Sequence, residues 1–231
     1  MAFEIGLLIF PDITQLDMTG PYEVFTKFPD ARVHLIWKAS GPIVAGGGMQ
    51  ILPTTTFADC PDLDLICVPG GAGMNPLLND EETLSFIRRQ AEYARYVTSV
   101  CTGALVLGAA GLLQGRQAAT HWMSREMLTA FGATPVAERV VIDGNVITGG
   151  GVTAGIDFAL VVAAQAFGED HAKSIQLGIE YDPHPPFDCG SPESANAELV
   201  AKARAAATQR QAERQAAVDQ AAAHLAASQA T

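Results

Sequence analysis

Cys101 sits between an apolar, β-branched run ending at Val100 and a stretch of small residues and leucines that begins at Gly103. A strand that delivers a cysteine into a tight turn at a helix start exposes the sulfur at the carboxyl edge of a sheet. The unpaired N–H groups of the new helix favour negative charge beside it, and the thiolate is the nucleophilic form of cysteine. This parallels the serine elbow of hydrolases; the alternative is a buried structural cysteine. Asp17 is the acid that could share the proton chemistry. Desolvation and a neighbouring thiolate would raise its pKa, letting it deliver a proton or act as a base toward water. Asp17 could equally cap the helix expected near Gly20.

A Cys–His pair competes with this reading. His121 follows a short strand and could line a pocket, or serve as a hydrogen-bonded structural residue; His34 is the other candidate. His171 and His184 read as surface. No HxH or HxxxH occurs, so no metal site is expected. The glycine runs lack the GxGxxG pattern of dinucleotide sites, and no cofactor is expected. The sequence PGGAG, residues 69–73, marks either a plain tight turn or a place where backbone approaches something closely.

These residues need a scaffold that brings them to one place. Strands are expected at 3–10, 32–38, 63–68 and 97–100, with a short arm at 49–53. A hairpin is expected around Asp143-Gly144-Asn145. Helices are expected from Pro21, read as a first helical residue, over 80–95, after Cys101, over 124–131 closed by Gly132, and over 156–167 and 169–180. Alternating strands and helices imply an α/β fold with a mostly parallel sheet covered on both faces. Ligands then bind at the carboxyl ends of the strands, where Asp17, PGGAG, Cys101 and residues 149–152 would converge.

The chain has 231 residues, 48% of them hydrophobic, enough for one sizeable core. Its net charge of −11 disfavours nucleic acid as a partner. No apolar run is long enough to span a membrane, and MAFEIGLLIF does not resemble a signal peptide. Cys60, Cys67, Cys101 and Cys189 are widely spaced, which suits a reducing cytoplasm. From Glu193 the sequence turns to Ala, Gln and Arg, with high helix propensity but little to bury. It reads as a peripheral helix with a frayed end, able to pack on a neighbouring subunit. Residues 1–195 are thus read as one α/β domain and 196–231 as an Ala-rich helical extension.

SVCTGALVLGAAGLLQG, the upstream PGGAG, LDMTGPYEVF and ATHW together resemble the ThiJ/PfpI superfamily. Within it, IFPDITQLDMTGP, TTFADCP, ERVVIDGN, TGGGVTAGIDFAL and IEYDPHPPF resemble the group that hydrates isocyanides. The resemblance implies a flavodoxin-like three-layer sandwich and a homodimer. It also implies hydration of an organic isocyanide to an N-substituted formamide without metal or organic cofactor. Cys101 would be the nucleophile and Asp17 its acid/base partner. Backbone N–H groups near Gly71, Ala72 and Thr102 would face the pocket, while Gly150 and Val152 would shape it. The peptidases of the superfamily carry histidine directly after the cysteine; Thr102 stands there instead. Two other readings remain: a redox-sensing stress protein in which Cys101 is oxidised, and the ligand-binding domain of an AraC-type regulator. The second would need a basic helix-turn-helix region after about residue 195.

Overall fold

A computed structural model describes residues 2–229. Phe3–Leu8 forms β1, Gln15–Phe25 forms α1 and Ala31–Trp37 forms β2. Ile43–Val44 (β3) and Gln50–Ile51 (β4) make a small antiparallel ribbon, and Thr55–Thr56 (β5) returns to the main sheet. Leu65–Val68 is β6, followed by the short α2 (Met74–Leu77) and by α3 (Glu81–Tyr93). Tyr96–Val100 is β7, and α4 (Gly103–Ala109) begins two residues beyond the cysteine. Gln117–Ala118 (β8) pairs with Thr134–Pro135 (β9) across a 3₁₀ segment, Trp122–Phe131. Val140–Asp143 (β10) and Val146–Gly149 (β11) form the expected hairpin, with Gly144 at φ 62° in its turn. Ala154–Phe167 (α5), Glu169–Gly178 (α6) and Ala197–Gln229 (α7) complete the chain.

The main sheet has seven strands in the order β10-β11-β7-β6-β1-β2-β5, parallel except for edge strand β10. Every residue of β6, β7 and β11 is buried, as expected of strands covered on both faces. Helices α1, α5 and α6 pack together, and Phe25, Phe28, Phe158 and Phe167 meet edge to face beneath them. Helices α3 and α4 pack on β6, α4 also packs on β7, and α7 lies over α4 and the 3₁₀ segment. The chain runs outward from β1 through β2 to β5, then restarts at β6 on the other side of β1. The β1–β6 junction is therefore the switch point at which open α/β sheets bind ligands.

Two expectations need correction. Helix α1 starts at Gln15, so Pro21 lies inside it. Proline lacks the N–H that would bond Asp17 C=O, and its ring packs closely on Gly155 of α5. A Cβ on Gly155 would lie 3.0 Å from Pro21 Cδ. The alanine-rich segment, in turn, packs on its own chain: Ala207, Arg214, Val218 and Ala221 of α7 are buried.

Candidate active site

Asp17, Gly70 and Cys101 meet beyond the carboxyl ends of β1, β6 and β7. Cys101 has φ 55°, a left-handed conformation uncommon outside glycine, and this turns the chain sharply from β7 toward α4. Three contacts over-determine it. Its N–H donates to Gly149 O at 3.1 Å and Gly150 O at 2.8 Å, and Thr120 Oγ1 donates to its carbonyl at 2.7 Å. The strain persists because the surrounding loops hold both ends of the peptide.

Asp17 belongs to the first turn of α1 and is fully buried. It does not cap that helix; the N-cap is Thr14. Asp17 Oδ2 instead accepts a hydrogen bond from Gly70 N–H at 3.1 Å, whereas Oδ1 is buried without a hydrogen-bond partner among the described residues. The carboxyl group faces the Cys101 thiol, and burial raises its pKa to about 7. Burial also pushes the Cys101 thiol above its ordinary value, and the adjacent Asp17 charge pushes it further. A hydrogen bond from Thr102 N–H opposes both. The expectation that the helix start alone would make this thiol easy to ionise is thus corrected. At 4% exposure, desolvation outweighs one backbone donor. The two side chains thus face each other in a buried site that favours the protonated form of each.

The PGGAG turn is a close approach rather than a plain turn. A Cβ on Gly70 would stand 2.5 Å from Thr102 N and 2.9 Å from Asp17 Oδ2. Gly71 N–H does not wait free at the pocket, because it donates to Thr102 Oγ1 at 3.1 Å. Ala72, Thr102 and Val152 line a cavity of about 250 Å³ together with Cys101 and Gly71. Gly150 is not part of that lining; it holds the cysteine backbone from behind while its own N–H donates to Arg139 O.

His121 reaches the cavity wall, but its Nδ1 accepts from Met123 N–H at 3.3 Å and caps the 3₁₀ segment. Burial and the charges of Arg214 and Arg210 lower its pKa to about 4, so it stays neutral. Its bond to Met123 N–H fits the structural reading and its place on the cavity wall fits the pocket reading. His34 bonds Thr55 and Glu4 within the sheet and takes no part.

Arg210, Gln211 and Arg214 of α7 also line the cavity and were not foreseen from the sequence. Their signal lay in spacing: Ala207, Gln211, Arg214, Val218, Ala221 and Leu225 recur every three or four residues along the inward side of α7. Alanines and two polar residues at these positions hide the stripe from any apolar count.

A doubly wound sheet with a strained cysteine elbow at its switch point defines a class of cysteine-centred α/β proteins. The DJ-1/PfpI family profile matches residues 4–165, and the chain belongs to that family. It is 60% identical over 204 residues to an isonitrile hydratase of Pseudomonas putida, covering 88% of this chain and 90% of that protein. A ThiJ/PfpI family protein from Pseudomonas syringae superposes with a TM-score of 0.92 at 40% identity, covering 94% of this chain and 91% of the other. The HTH-type transcriptional regulator GbdR of Pseudomonas aeruginosa is 31% identical over 183 residues. That match spans 76% of this chain but 48% of the regulator. Residues 197–229 here form one uninterrupted helix, and no helix-turn-helix occurs among the described residues.

Proposed function

We propose that the protein is an isocyanide hydratase, a hydro-lyase converting R–N≡C and water to R–NH–CHO through a covalent cysteine adduct. The observation that carries this is the pairing of Cys101 with a buried, proton-holding Asp17, joined to high identity with the Pseudomonas putida isonitrile hydratase along most of both chains.

The terminal carbon of an isocyanide is electrophilic, and a thiolate is a strong, polarizable nucleophile. With one proton on the pair, transfer from sulfur to Asp17 leaves a thiolate beside a carboxylic acid. Sulfur attacks the carbon while Asp17 delivers its proton to the same atom, giving a thioimidate, Cys–S–CH=N–R, and an Asp17 carboxylate. Asp17 then accepts a proton from water as the hydroxyl adds to carbon, and passes it to nitrogen. Collapse of this adduct expels the thiolate, returns the hydroxyl proton to Asp17 and releases the formamide. In this reading Thr102 N–H, which favours charge on the sulfur, and the backbone at Ala72 on the cavity wall stabilise the negative charge that develops.

Incubation with an alkyl isocyanide and quantification of the formamide tests the reading. Cys101→Ala is expected to abolish turnover and the mass-detectable adduct, and Asp17→Asn to lower turnover by about a hundredfold or more while leaving the thiol alkylatable. Full activity of Cys101→Ala would overturn the proposal. A homodimer belongs to the same proposal, supported by apolar surface on Leu177 (83% exposed) and Phe187 (75% exposed).

A further inference from the structure

Arg214 is anomalous for a charged residue: it is 4% exposed and has no acidic partner among the described residues. Its Nε donates to Asn75 Oδ1 at 3.0 Å and its Nη1 to Ser124 Oγ at 2.9 Å. Those two acceptors fix the plane of the guanidinium but bring no negative charge. A guanidinium carries five N–H donors, so three have no acceptor among the described residues. The ion pairs among the described residues all join other side chains. Arg210, one helical turn earlier, lines the same cavity and likewise has no ion pair among the described residues. No carboxylate lines that cavity, in a chain whose net charge is −11. A buried cation without a counter-charge is unfavourable. Cys101 lies within Coulombic reach, so its thiolate and the guanidinium favour each other, but no hydrogen bond joins Arg214 to the sulfur and the remaining N–H donors stay open to a ligand.

We infer that this cavity selects small anionic ligands. On the hydration reading given above, on which this step rests, its substrate class is isocyanides that carry a carboxylate. The isocyanide carbon would meet Cys101 Sγ while the carboxylate meets Arg214, with Arg210 adding charge at the mouth. The volume of about 250 Å³, below the roughly 300 Å³ at which drug-sized pockets begin, suits a compact molecule.

Two measurements on the full chain test this. The first compares alkylation of Cys101 by iodoacetate and by iodoacetamide, which share the reacting carbon and leaving group but differ in charge. Exposed, free Cys189 is the internal reference for reagent reactivity. The iodoacetate-to-iodoacetamide rate ratio at Cys101, relative to Cys189, is expected to fall about tenfold in Arg214→Gln. Arg214→Lys should keep part of it, and Arg210→Gln, a surface change on α7, should lower it less. The second compares kcat/KM for isocyanoacetate and its methyl ester. The acid is expected to be preferred about tenfold or more, with the preference lost in Arg214→Gln. Equal losses on both substrates, or a preference for the ester in the unaltered protein, would overturn the inference and assign Arg214 to the sulfur. If neither isocyanide turns over but the alkylation ratio depends on Arg214, the anion site stands and the hydration reading falls.

Discussion

Asp17 carries more information than the cysteine it serves. Its carboxyl is raised from 3.8 to about 7 because burial strips it of water, and only Gly70 N–H and the thiol compensate. The reactive pair must hold one proton, so at low pH it carries one too many. The kcat/KM for an isocyanide is expected to rise with pH along a limb centred near 7; a profile flat from pH 5 to 8 would contradict the pairing. The same displacement costs stability. An acid that binds its proton more tightly when folded contributes most below its unfolded pKa, and that contribution disappears as pH rises through its folded value. From 3.8 to about 7 the loss is of the order of 4 kcal/mol. Asp17→Asn cannot ionise and keeps an acceptor for Gly70 N–H. Its thermal midpoint is therefore expected to exceed that of the parent by more at pH 8 than at pH 5, and an equal difference at both pH values would count against this account. The residue was visible in the sequence, but its two readings, cap or proton carrier, were not separable there. Deciding required the position of Gly70, 53 positions away.

At the level of elements, the elbow and the PGGAG turn form one device. β6 and β7 are parallel neighbours in register, Val68 beside Ser99, so the turns that follow them emerge side by side. Gly70 lies against Thr102 because it has no side chain, and Thr102 Oγ1 then accepts from Gly71 N–H. Gly70→Ala would force backbone apart at both turns. We expect a loss of about 1–3 kcal/mol in denaturant unfolding, together with a drop in kcat as Asp17 and Cys101 separate. Unfolding and kcat both unchanged would show that the turns have slack. The parallel strands were legible because their apolar runs and bounding glycines are local signals. The start of α1 was not. Pro21 looks like a first helical residue, but the helix begins six residues earlier and packs the proline ring against Gly155 of α5, a contact no local pattern announces.

For the molecule as a whole, α7 joins the tail to the active site, while the apolar side chains of Leu177 and Phe187 remain exposed on the single chain. Sedimentation at micromolar concentration is expected to give twice the 24.3 kDa of a single chain, whereas a monomer would remove the dimer from the proposal. The strand–helix alternation, the cysteine at a strand end and the acid after β1 are sequence properties, because each depends on neighbours within a few residues. The pattern by itself thus determined the layered sheet and brought its loops to one edge. What only the tertiary structure decided depends on distant groups and on exclusion of water. Burial favoured the protonated forms of Cys101 and Asp17 and kept His121 neutral, while Thr102 Oγ1 took up the Gly71 N–H. Packing of an alanine-rich helix, weakly amphipathic on paper, set an unpaired arginine into the cavity wall. Desolvation has no signature in a linear string, since it is set by every residue that folds over the group.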